Sequence, residues 1–80
     1  MAFQVHTPDE LRELLVMLVM SGAGGDAARW REAIGDIRKL PAAMSARFNW
    51  RIKPKGDATE RRVIRRSLEI VRGAYPYVAG

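Results

Sequence analysis

The amino-acid sequence of this 80-residue chain predicts a mainly α protein: a small three-helix domain with one short extended segment between helices two and three. Three observations carry that reading. Two capping boxes mark helix starts, apolar residues recur at helical spacing in three segments, and a single stretch alternates strictly between apolar and polar residues. One domain over residues 1–80 follows, with helix one at 8–21, helix two at 26–40, the extended segment at 47–53 and helix three at 58–72.

Helix one opens on Thr7-Pro8-Asp9-Glu10. Thr7 can cap, Pro8 suits a first turn whose N–H groups lack partners anyway, and Glu10 completes a capping box. Leu11, Leu14, Leu15 and Leu18 form an apolar stripe. Gly22 is expected to stop the helix, with Ser21 to Gly25 as a flexible connection. Asp26 caps helix two, in which Trp30, Ile34, Ile37 and Leu40 recur at spacings of four, three and three until Pro41. Its charged residues, Arg29 and Arg31 among them, fill the solvated side.

Alternation begins at Ala46, with Phe48, Trp50 and Ile52 on one side and Arg47, Asn49, Arg51 and Lys53 on the other. A single strand cannot satisfy its own backbone, so it either pairs with a second copy or lies as an arm over the helices. Pro54-Lys55-Gly56 is a turn. Asp57 with Glu60 is the second capping box, opening a helix whose stripe is Ile64, Leu68 and Val71, flanked by Val63 and Ile70, and closed by Gly73. The tail carries Tyr75, Pro76, Tyr77 and Val78, which are expected to fold back onto the domain.

Composition narrows the function. A chain this short buries about 60% of its unfolded surface, close to the limit of independent stability, and a partner would help it. The absence of cysteine removes disulfides, zinc-thiolate sites and thiol nucleophiles, and fits a reducing, cytoplasmic location. The apolar run Leu14 to Met20 is too short for a membrane span, and the acidic residues before it argue against a secretion signal. Charge is uneven: through Leu40 there are five basic and six acidic residues, and from Pro41 nine basic and three acidic, or −1 against +6. A positive half favours nucleic acid or an acidic protein surface without choosing between them.

No catalytic constellation emerges. His6, the only histidine, lies near a frayed N-terminus away from any nucleophile, and scattered carboxylates furnish no metal shell. Neither cofactor nor metal is expected. The glycine-rich stretch before helix two lacks a preceding strand and a following Gly-Lys-Ser/Thr, and Asp26 sits where a phosphate would, so it reads as a linker. Arg61, Arg62, Arg65, Arg66 and Arg72 could grip a DNA backbone. Yet Asp57 and Glu69 stand at helical spacing from Arg61, Arg65 and Arg72, so a solvated basic face is preferred. The basic and aromatic residues of 47–53 resemble a base-stacking platform, but a small core can hardly release Trp50.

Helix one is the anomaly. Its leucines complete a core stripe, yet Val16, Met17, Val19 and Met20 occupy the other faces. Either this helix is wrapped on every side, or its surplus face binds a partner or a second copy, for which methionine is well suited.

Trp30-Arg31-Glu32-Ala33-Ile34-Gly35, Asn49-Trp50-Arg51-Ile52-Lys53-Pro54-Lys55-Gly56 and Ile70-Val71-Arg72-Gly73-Ala74-Tyr75-Pro76-Tyr77-Val78 resemble the QseM-type small antiactivators of proteobacterial integrative and conjugative elements. The resemblance covers roughly the last fifty residues and leaves helix one outside. It implies a non-enzymatic regulator of transcription, under quorum-sensing control of element transfer, that sequesters a transcriptional activator through protein–protein contact. It transfers no contact residues. The expected partner-binding residues therefore come from the anomalies: Val16, Met17 and Met20 on helix one, Arg61 and Arg65 on helix three, and Tyr75 and Tyr77 in the tail. The expected partner is a protein, with a homodimer admitted and nucleic acid less favoured. The alternatives are a small basic DNA-binding protein acting as a dimer and an antitoxin-like binding protein.

Overall fold

The computed structural model describes residues 6–41 and 47–79. Three helices, α1 (Pro8–Ala23), α2 (Ala27–Ile34) and α3 (Ala58–Ala74), surround the core, and two short strands, β1 (Arg38–Lys39) and β2 (Trp50–Arg51), lie between α2 and α3 in the sequence. The chain is mainly α, as its periodicity predicts.

Both capping boxes are formed. The Thr7 hydroxyl accepts from the Glu10 N–H while the Glu10 carboxylate accepts from the Thr7 N–H, and Asp57 and Glu60 repeat the exchange at α3. Asp26 caps α2 by accepting from the Arg29 N–H.

The helix ends differ from those the sequence predicts, and glycine φ explains why. Gly22 and Gly73 lie within helices, whereas Gly24 and Gly35 have φ near +71° and +72° and end α1 and α2. Helix two is thus half its expected length. Its Ala33 carbonyl accepts from the distant Lys55 N–H at 2.7 Å, a bond that replaces continuation of the helix. Ile37 still packs on the core from beyond the helix end, while Leu40 lies next to β1.

Residues expected at the end of helix two instead form β1, which pairs antiparallel with β2 in the register Arg38 to Arg51 and Lys39 to Trp50. The extended segment therefore finds its partner within the chain, and neither a second copy nor a free arm is needed to satisfy it. Ala46, where the alternation begins, lies outside the described residues. Alternation holds where it is seen: Trp50 and Ile52 are buried, and Arg47, Arg51 and Lys53 are exposed.

The core gathers Leu11, Leu15, Val16 and Val19 of α1, Trp30, Ala33 and Ile34 of α2, Trp50 and Ile52 around β2, Ile64 and Val71 of α3, and Val78 of the tail. Fully burying one such side chain contributes about 1.5 to 3 kcal/mol. Both indoles meet a backbone carbonyl, which removes the cost of a buried unpaired N–H. Trp30 Nε1 donates to Gly24 at 2.7 Å, and Trp50 Nε1 to Tyr75 at 2.8 Å.

The tail folds back as expected. The Asn49 side chain brackets Val78, accepting from its N–H at 2.7 Å and donating to its carbonyl at 3.2 Å. His6 bridges to Val78 in parallel, accepts from the Ala79 N–H at 2.9 Å, and sets its ring edge-on to Tyr75 at 4.6 Å. His6 is therefore fixed against the tail, not frayed.

Candidate functional site

α1 runs between α2 and α3, and this placement decides which residues it leaves outside. Leu11, Leu15, Val16 and Val19 point inward. The opposite stripe, Glu10, Glu13, Met17 and Ser21, is exposed along the helix, and Leu14 and Leu18 stand half-buried beside it. Met17 is 68% exposed, the largest value among the big apolar side chains described.

α3 supplies the other wall. Its buried stripe is Ile64, Ser67 and Val71, which leaves Ile70 one position off the seam and 62% exposed. Ile70, Val63 and Arg66 line a shallow groove with Leu18 and the Ser21–Ala23 end of α1. The groove floor is apolar. Beyond it, Arg61, Arg62, Arg65 and Arg66 cover the outer face of α3.

These arginines differ from what local spacing predicts. Asp57 is engaged in its cap, so Arg61 donates to the Gly56 carbonyl at 2.8 Å. Arg72 turns away from Glu69 and lays its guanidinium over the Phe48 ring at 4.0 Å, with the Trp50 ring at 5.4 Å. Burial there pulls the Arg72 guanidinium below the usual arginine range. Among the described residues, Arg62, Arg65 and Arg66 form no ion pair.

The α2 arginines, expected to be merely solvated, have distant partners. Arg31 holds Glu13 with two contacts of 2.7 Å, and Arg29 holds Glu60 at 3.0 and 3.2 Å. Hydrogen bonding from Arg31 pulls the Glu13 carboxyl below its ordinary value and, reciprocally, raises the Arg31 guanidinium. The Glu10 carboxyl is lowered chiefly by the Thr7 backbone N–H, with His6 second.

The expected contact residues are not one surface. Val16 is 2% exposed and belongs to the core, because it lies on the same inward arc as Val19 and Leu15; it is unavailable to a partner. Met17 is outside, whereas Met20 is half-buried against the core. Arg61 and Arg65 lie on the far side of α3 from the groove. Tyr75 is half-buried at the tail clasp, and Tyr77 is 52% exposed beyond it.

Sequence reasoning set Val63 and Ile70 beside the core stripe of α3 and Leu14 and Leu18 within that of α1; Leu14, Leu18 and Val63 do pack, half-buried, against the core, and what it missed is that Ile70 is mostly exposed. The available signal was that 63 and 70 share a face one position away from 64 and 71. Trp50 and Phe48 are not a stacking platform: Trp50 is fully buried and Phe48 is covered by Arg72. The glycine linker is also filled, since a Cβ on Gly25 would come within 2.9 Å of Trp30 Nε1.

No group of three or more His, Cys, Asp or Glu side chains comes together among the described residues, and no helix described is long and apolar enough to cross a membrane. Compared with protein-family models, with curated proteins and with solved structures, the chain finds no match.

Proposed function

We propose that the chain is a non-enzymatic cytoplasmic regulator that binds another protein, a transcriptional activator, and keeps it from acting. One observation supports the binding role above others: an apolar surface runs across α1 and α3, with Met17 and Ile70 mostly exposed, in a domain whose core is already complete without them. Isolated apolar residues on a surface need no explanation, but these adjoin the half-buried Leu14, Leu18 and Val63.

The choice of an activator rests on the resemblance to the QseM-type antiactivators. Its motifs fall largely on residues that hold the fold: Trp30 and Ile34, Trp50 and Ile52, Val71 and Val78 are all buried. The resemblance therefore speaks for a shared scaffold, and the contact surface is argued from exposure alone.

Titrating the chain against the activator of a promoter that it silences in its host tests the proposal. Tight binding is expected, with the affinity falling at least about tenfold for Met17→Glu, because a carboxylate buried in an interface is costly. Silencing without direct binding to the activator would overturn it.

The unpaired arginines of α3 support a second reading, a DNA-binding module. That reading loses the strand-paired dimer, since β2 is paired within the chain. Weak binding to random duplex DNA is expected at physiological salt. Submicromolar affinity with a steep salt slope would favour DNA over protein.

A further inference from the structure

α1 and α3 run antiparallel. His6, at the start of α1, packs on Tyr75 at the end of α3, while the Ser21–Ala23 end of α1 adjoins Val63 and Arg66. The face they share therefore has two poles. At one end Asp9, without an ion pair among the described residues, and Glu10, 3.3 Å from His6, line a depression with His6, Leu14 and Met17, and Glu13 beside them is held by Arg31. At the other, Arg66 lines the groove and Arg62 stands one turn before it on the adjoining outer face of α3, both without ion pairs among the described residues. Between them lie Met17, Leu18, Val63 and Ile70. From Glu10 to Ser21 is about 16 Å at the rise of an α-helix, so the poles are separated by more than a Debye length at physiological salt, about 8 Å.

We infer that this face pairs with the same face of a second copy, related by a two-fold axis passing near Met17, so that the dimer and a complex with the activator are alternatives on one surface. In such an isologous contact, residue i meets j and j meets i. A half-turn about the apolar middle lays the acidic pole of each copy over the basic pole of the other, twice, and sets apolar on apolar. A parallel arrangement would oppose like charges. The same polarity disfavours nucleic acid as the occupant, because phosphates drawn to Arg62 and Arg66 would meet Asp9 and Glu10 along the face.

Sedimentation velocity of the intact chain across a dilution series, at low and high salt, tests the inference. A species of twice the chain mass is expected at about 100 µM, dissociating on dilution and weakened by salt. Met17→Glu and Arg66→Glu should each weaken it at least about tenfold, with helical circular dichroism unchanged. Because the chain has no cysteine, a single Met17→Cys variant can be treated with a short bis-maleimide. Crosslinking to itself is expected there and not for Lys55→Cys, which lies on the α2 side. A monomer at every concentration, or a dimer indifferent to both charge-bearing substitutions, would overturn the inference. A monomer that still binds an activator through Met17 would overturn only the second copy, leaving the proposed function; a dimer on this face without activator binding would do the reverse.

Discussion

Where α1 meets α2, side-chain bonds cross the seam: Arg31 grips Glu13, and Arg12 reaches the Arg31 carbonyl at 3.0 Å and the Asp36 carboxylate at 3.7 Å. Where α1 meets α3, among the described residues no ion pair crosses, and the edge is left open with Leu18, Val63 and Ile70 along it. One flank is closed by charge and the other is apolar and unfinished. Arginine content therefore does not mark a binding surface. What matters is whether the fold brings a carboxylate to each guanidinium, and it does so for Arg29 and Arg31 but not for Arg62 or Arg66.

Trp30→Ala should destabilise the fold by about 3 to 5 kcal/mol, the usual cost of deleting a buried large aromatic. Ile70→Ala, on the open flank, should change stability by no more than about 0.5 kcal/mol. Chemical denaturation of the two variants side by side measures both, and equal losses would mean that the open flank is part of the core.

A smaller loss is expected for Gly25→Ala. Gly25 has φ +91°, and the added Cβ would press on the Trp30 indole, so about 1 to 3 kcal/mol of strain should appear as a lower midpoint in the same denaturation. A neutral result would show that the α1–α2 connection can relax away from Trp30.

Charge along α1 has a smaller effect on stability. Glu10 and Glu13 both have carboxyl groups held below their ordinary value in the folded chain. Their contribution is fully present above the unfolded glutamate value of about 4.3 and is lost as pH falls below it through the folded values. The melting temperature should therefore drop below about pH 4.3, and Glu13→Gln should remove part of that drop. An identical profile for the variant would show that Arg31 adds nothing to the seam.

Local signals were legible in the sequence, and long-range ones were not. Thr7 with Glu10 and Asp57 with Glu60 each lie three residues apart, so both helix starts could be read from neighbours alone. Glycine was ambiguous, because Gly35 and Gly73 look alike in sequence and only the φ that tertiary contacts impose separates a stop from a helical position. The pairing of β1 with β2 and the bonds from Arg29 and Arg31 join residues far apart in the chain, and no periodicity encodes them. The candidate face was half legible. Met17 was found because α1 is too apolar for one stripe, whereas Ile70 was hidden because a single apolar residue beside a core stripe resembles the stripe itself.

The two indole bonds have an optical consequence. Trp30 fastens the α1–α2 connection through Gly24, and Trp50 fastens the tail through Tyr75. They are the chain's only tryptophans, and they sit on different closures. Replacing Trp30 by Phe leaves an emission spectrum governed by the tail clasp, and replacing Trp50 by Phe leaves one governed by the helical connection. Fluorescence thus resolves which end of the domain opens first, with no dye attached.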